Sequence, residues 1–179
     1  MIISNLNSCN IKFNAIVADP PWRYNDSDCR GAAEHHYSTM SLEDIKNIPI
    51  KNVQSENSCL FLWTTNPFLP ESFDVMESWG YNYKTTLTWV KSGNIGMGRY
   101  FRGTTEHCLF GTTGKVKIKQ RNIPTHFIVD KRYHSWKPHN IHKIVNENIQ
   151  PPYLELFGRM ELPNWYIFGN DITRSMDNF

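Results

Sequence analysis

The string Asp19-Pro20-Pro21-Trp22, set directly after the apolar run AIVA at residues 15–18, constrains this chain more than any other feature. A short apolar run bounded by polar residues reads as a buried strand, here over residues 14–18. Two prolines lack backbone donors and fix φ, so neither that strand nor a helix can continue through them. The strand must therefore end in a rigid, acceptor-rich lip. The Asp19 carboxylate and the Pro20 carbonyl can both accept from one exocyclic NH2 group, and Trp22 offers a flat face for a planar base. Taken alone, the same four residues also suit a plain strand-ending turn in which Asp19 caps backbone amides.

The rest of the chain alternates strand and helix signals. Ser41 caps a helix through Leu42, Ile45 and Ile48, with Glu43 and Asp44 in its first turn and Pro49 as its stop. Residues 59–64 (CLFLWT) read as a second strand. Asn66-Pro67 opens another helix, with Phe68, Phe73, Val75, Met76 and Trp79 on its apolar side and Gly80 after its end. Strands are expected at residues 83–90, 106–111 and 125–129. Pro138 then opens a helix whose Ile141, Ile144, Val145 and Ile149 keep one face apolar. Residues 153–157 and 165–168 close the series as two strands. Such alternation predicts an α/β sheet covered by helices. The 179 residues, 40% of them hydrophobic, fit one domain over 1–179.

No stretch approaches the roughly 20 apolar residues that span a bilayer, and the N-terminus lacks a signal-peptide pattern. A cytoplasmic location without membrane association is expected. Cys9, Cys29, Cys59 and Cys108 are irregularly spaced, which suits free thiols. His139 and His142 sit at i and i+3, but no further ligand has convincing spacing, so no metal is expected. His35 and His36 lie in a polar loop beyond the lip, within reach of a substrate.

The net charge of +2 conceals a polarised distribution. Residues 91–143 hold eleven Lys or Arg against Glu106 and Asp130, a net +9 that leaves −7 for the remainder. Aromatic residues Tyr100, Phe101, Tyr133 and Trp136 are interleaved among these charges, the pattern of a face that meets a polyanion. The glycine-rich stretch 92–105 has neither helix nor strand period, and it lacks the order of a dinucleotide-binding fingerprint. It reads either as a surface hairpin or as a substrate loop carrying Arg99 and Arg102, with Lys91 just before it as a further candidate contact.

Read in order, DPPW, YSTMSLEDIKNIPI, LFLWTTN, WGY, LTWVKSG, RGTTEHCLFGTTG, SWKPH, YLELFGR and NWYIFGND resemble the MT-A70 family of S-adenosylmethionine-dependent N6-adenine methyltransferases. The resemblance extends from about Lys12 to Asp171. It implies a Rossmann-like methyltransferase fold: a mostly parallel twisted sheet with helices on both faces, and a permuted order in which the catalytic DPPW precedes the cofactor strand. Asp19, Pro20, Pro21 and Trp22 would be catalytic, with Asp19 and the Pro20 carbonyl holding the target amine. Tyr37 and Met40 would border the base pocket, Trp63 and Trp89 would line the sheet end, and Lys137 would reach both cofactor and target. Ala18 and Asp19, then Glu155, Leu156, Phe157 and Arg159, then Asn170 and Asp171 would surround S-adenosylmethionine. Glu155 would accept its ribose hydroxyls, as an acid does in dinucleotide folds. The family's upstream cofactor-contacting segment is either residues 1–10 or missing, and its His-Asn pair after Gly-Arg is replaced by Met160-Glu161.

The implied partner is nucleic acid. The compact chain lacks long extensions, which points to a bacterial or phage member and to DNA over RNA. A homodimer or a partner subunit is open. Two other readings stay open as well: a non-catalytic nucleic-acid-binding subunit with the same fold, and a methyltransferase for a small-molecule or protein amine.

Overall fold

The computed structural model describes residues 1–23, 39–93, 100–131, 136–159 and 161–169. Its strands are β1 (Phe13–Ala18), β2 (Gln54–Thr64), β3 (Asn82–Ser92), β4 (Thr105–Thr112), β5 (His126–Asp130), β6 (Tyr153–Leu156) and β7 (Trp165–Phe168). They form one sheet in the order β5-β3-β4-β2-β1-β6-β7. β4 runs antiparallel to both its neighbours, and every other adjacent pair is parallel. This is the mostly parallel α/β, Rossmann-like sheet expected from the sequence.

Among the described residues, three α-helices cover it: α1 (Leu42–Lys46), α2 (Leu69–Ser78) and α3 (Asn140–Asn148). Strand alternation divides the core into two layers. On one face Phe13, Ile16, Leu60, Leu62, Leu154 and Leu156 pack with Ile45 of α1 and Val75 and Met76 of α2. On the other, Ala15, Val17, Phe61, Trp63, Trp89 and Trp165 pack with Ile141 and Val145 of α3. Burial on both faces explains why the central strands read as continuous apolar runs. Among the described residues, no helix is long and apolar enough to cross a membrane.

Several boundaries differ from expectation for local reasons. Ser41 caps α1, its Oγ accepting from the Asp44 N–H at 3.1 Å, but the helix ends at Lys46 rather than at Ile48. The ring of Pro49 disfavours helical backbone at the residue before it. Asn66-Pro67 opens a single 3-10 turn, Asn66–Phe68, and the α-helix starts at Leu69 with Pro70 in its first turn. Phe73 lies beside the buried Ser72, Val75 and Met76 stripe, not on it. It is 38% exposed and meets Tyr83 edge-on. Gly80 follows α2 with φ of 82°, the left-handed backbone that suits glycine after a helix end. β6 stops at Leu156, one residue early, because Phe157 turns to φ of 66°. Residues 1–3 add a short parallel pairing to β7, with Ile3 N–H donating to the Ile167 carbonyl at 2.8 Å.

Trp79 joins α1 to α2: it is 1% exposed, and its Nε1–H donates to the Ile45 carbonyl at 3.0 Å. Trp79→Phe keeps an aromatic ring but removes this buried hydrogen bond, leaving the Ile45 carbonyl to its backbone donor, the Ile48 N–H at 3.3 Å. It is expected to cost about 0.5–1.5 kcal/mol, measured as a lower urea midpoint; an unchanged midpoint would contradict the packing described.

Candidate active site

Four charged side chains from distant parts of the chain meet where the carboxyl ends of β1, β2 and β3 face the amino end of β4. Lys137 Nζ lies 2.9 Å from Asp19 Oδ2 and 3.4 Å from Glu106 Oε2, while Lys91 Nζ lies 2.6 Å from Glu106 Oε1. The 3.4 Å approach is a charge contact whose geometry falls short of a hydrogen bond. The result is an alternating row, Lys91–Glu106–Lys137–Asp19, in which every charge has an opposite neighbour. Trp63 and Trp89 lie beneath it: Lys137 Nζ is 5.7 Å from the Trp63 ring centroid, and Lys91 Nζ is 5.1 Å from that of Trp89.

Asp19 owes its position to β1 and the prolines after it. Its N–H reaches the Leu156 carbonyl of β6 at 3.5 Å, and Pro20 is buried with its carbonyl accepting from the Trp22 N–H at 2.9 Å. That carbonyl retains one lone pair for a substrate amine. Trp22 departs from expectation. It is 8% exposed, stacks on Phe68 at 5.4 Å and 16°, and donates Nε1–H to the Trp63 carbonyl at 3.3 Å. Its face is already covered, so it locks the lip in place rather than presenting a surface to a base. Trp63 and Trp89, at 1% and 0% exposure, likewise support the charged row from below and do not line a pocket.

A cavity of about 470 Å³ opens on the α1 side of the same sheet end. Asp19, Pro21 and Met40 form one wall, and Phe157, Gly158 and Arg159 another. Asn5 and Asn7 of the N-terminal segment also line it. The turns after β6 and β7 close its floor by backbone contact: a Cβ added at Gly169 would lie 2.2 Å from the Gly158 carbonyl oxygen. Its volume suits a small-molecule ligand of nucleoside-conjugate size. Its polar groups include a carboxylate, a guanidinium and two amides.

Glu155 is not on that cavity. Alternation along β6 turns it, with Tyr153, toward α3, and its Oε2 lies 2.8 Å from His142 Nε2. Expectation placed this carboxylate against ribose hydroxyls; in the structure it ties β6 to α3 instead. Ala18 and Leu156 are fully buried core residues and do not line the cavity. Arg102 is exposed on the β3–β4 connection. Tyr37, Arg99, Asn170 and Asp171, like His35 and His36, lie outside the described residues.

Glu106 was missed by sequence reasoning, although a signal existed. It lies near the start of a strand that continues through Cys108, Leu109 and Phe110, and a buried acid requires a partner. Burial acts to raise its pKa, but the Lys137 and Lys91 ammonium groups outweigh burial and hold it below the usual carboxylate value. Burial acts to lower that of Lys137, and the carboxylates of Asp19 and Glu106 outweigh it and hold the lysine above its ordinary value.

The MT-A70 family profile matches residues 13–171. An N(6)-adenosine-methyltransferase MT-A70-like protein of Drosophila melanogaster is 31% identical over 90% of this chain and 27% of its own length. The N(6)-adenosine-methyltransferase catalytic subunit METTL3 of Homo sapiens is 28% identical over 90% of this chain and 28% of its own length. The type II methyltransferase M.MunI of a Mycoplasma species is 28% identical over 90% of this chain and 78% of its own length. The chain thus spans about a quarter of the first two relatives and most of the third.

The charged row sets a pH signature. Glu106, depressed in the fold, contributes stability that is present above its ordinary value of 4.5 and lost as pH falls through its folded value. Lys137, raised in the fold, contributes stability that is complete below 10.5 and lost as pH rises through its folded value. Lys137→Met removes the largest counter-charge from Glu106. The acid limb of a stability-versus-pH profile is expected to move to higher pH, and an acid limb identical to wild type would contradict the coupling.

Proposed function

Because the chain belongs to the MT-A70 family, we propose that it is an S-adenosylmethionine-dependent methyltransferase acting on N6 of adenine in nucleic acid, with DNA preferred over RNA. One observation carries the reading. Asp19 stands at the junction of two compartments, lining the cavity on the α1 side and pairing with Lys137 on the α3 side. A donor held in the cavity and an amine held at the charged row would meet at this residue.

The cavity residues fit the cofactor. Arg159 and Asp19 supply charges of both signs for its amino-acid and sulfonium ends, Asn5 and Asn7 supply amides for its base and ribose, and Phe157 supplies an aromatic wall. When bound, S-adenosylmethionine supplies an electrophilic methyl carbon.

The protein's own groups prepare the amine. An adenine NH2 is a poor nucleophile because its lone pair conjugates with the ring. Asp19 engages Lys137 through Oδ2, and its side chain remains 31% exposed, so acceptor capacity is left for one amine N–H. The remaining Pro20 lone pair takes the other. Holding both N–H groups orients the nitrogen lone pair toward the cavity, where the cofactor would supply the methyl group. The surplus proton on nitrogen is then held at the Asp19 oxygen. Lys137 fixes that carboxylate in place, Glu106 and Lys91 fix Lys137, and positioning with electrostatics supplies the acceleration. No thiol need take part: burial pushes Cys59 up to about 12 and raises Cys108 as well, so both are protonated at neutral pH.

The likeness to the type II methyltransferase, 28% identical over 90% of this chain, supports the DNA preference. A duplex target would have to flip its adenine, which costs a few kcal/mol.

The test is incubation with labelled S-adenosylmethionine and matched DNA and RNA oligonucleotides, single- and double-stranded, followed by nucleoside mass spectrometry. N6-methyladenine is expected, most abundantly from DNA. Asp19→Ala is expected to lower turnover by about 100-fold or more while calorimetry shows cofactor binding largely retained. Unchanged turnover in that variant would overturn the catalytic assignment.

A further inference from the structure

Much of the chain's positive charge lies far from Asp19. Lys115, Lys117, Lys119 and Arg121 occupy the connection from β4 to β5, and all four are exposed. Between them Val116 and Ile118 pack against the α3-side core, so alternation turns the three lysines outward together. The segment is pinned at both ends: Lys115 N–H donates to Asn57 Oδ1 at 2.7 Å, and Gln120 N–H to Asn148 Oδ1 at 2.8 Å. Among the described residues, none of the four cations belongs to an ion pair. No acid occurs between Glu106 and Asp130 to neutralise them.

The reversed direction of β4 fixes where this row lies. Glu106 pairs with Trp89 at the catalytic end of the sheet, and Thr112 pairs with Cys59 and Asn82 at the opposite end. Six residues of strand separate the two, which at about 3.4 Å each is about 20 Å. Trp63, which carries Lys137 on its ring, belongs to the same core layer that Val116 and Ile118 cover. The lysines therefore lie on the α3 side of the sheet, below Lys137 and away from the cofactor cavity.

We propose that Lys115, Lys117 and Lys119 form a phosphate-binding row that holds the substrate strand about 20 Å from the target adenine. The inference rests on the nucleic-acid reading above and deepens it. Charge without a bidentate partner or a base-reading side chain holds phosphates and carries no sequence information. At 3.4 Å per nucleotide step, the row is reached only by a strand that extends about six nucleotides past the adenine.

The test is a Lys117→Gln/Lys119→Gln double variant, compared with wild type on adenine-containing oligonucleotides graded in length, with binding by fluorescence anisotropy and methyl transfer read separately. Both lysines are exposed and unpaired, so folding is not at stake. On oligonucleotides extending well past six nucleotides, affinity at low salt is expected to fall about tenfold or more, and the slope of log affinity against log salt to shrink by about 1.4–1.8. On shorter ones the two proteins should bind alike, and turnover at saturation should match at every length. Equal affinity and salt slope on the long oligonucleotides would overturn the row while leaving methyl transfer intact. Length-dependent binding with no methyl transfer would support the row and sink the N6 reading alone.

Discussion

The pairing of Lys137 with Asp19 is the interaction on which the rest of the site depends. It joins residues 118 positions apart, one at the end of the first strand and one just before the last helix, at 2.9 Å. A buried ammonium needs acidic partners to stay charged, and Asp19 and Glu106 together hold the Lys137 pKa above its ordinary value against the opposing effect of burial. Lys91 extends the row, and two tryptophans beneath it exclude water. Each member fixes the next, so the lip after β1 is stiff for electrostatic as well as steric reasons.

The sheet separates two tasks. Its α1 and α2 side carries a cavity of about 470 Å³, floored by the close approach of Gly158 and Gly169. Its α3 side carries Lys137, its tryptophan supports and the basic β4–β5 connection. Ligands at the carboxyl ends of parallel strands are the general rule for open α/β sheets. Here the first strand, between β2 and β6, ends in the residue that both sides share. The prolines make that possible by stopping the chain between the two compartments.

Much of this was legible in the sequence. Apolar runs and turn residues gave the seven strands and three helices their order, and DPPW marked the strand end that holds Asp19. Lys137 came from the family resemblance, and the structure brings it to Asp19. What stayed hidden was orientation. Glu155 and Leu156 are neighbours on one strand, and only pairing with β1 and β7 decides which faces α3; the acid faces His142, so a ribose contact inferred from its place at the strand end does not follow. Trp22 read as an open stacking face because no local pattern shows that Phe68, forty-six residues later, will cover it. Glu106 stayed unread because its partners lie on β3 and before α3. A one-dimensional pattern identifies a buried acid more readily than the cation that answers it.

On the proposed function, donor and acceptor meet at Asp19 from opposite sides of the sheet, which a crystal structure grown with a non-reactive S-adenosylmethionine analogue would reveal. The analogue is expected in the cavity between Asn5, Phe157 and Arg159, with its methyl-bearing end toward Asp19 and the His142–Glu155 contact undisturbed. An analogue bound on the α3 side against Glu155, with the cavity empty, would contradict it.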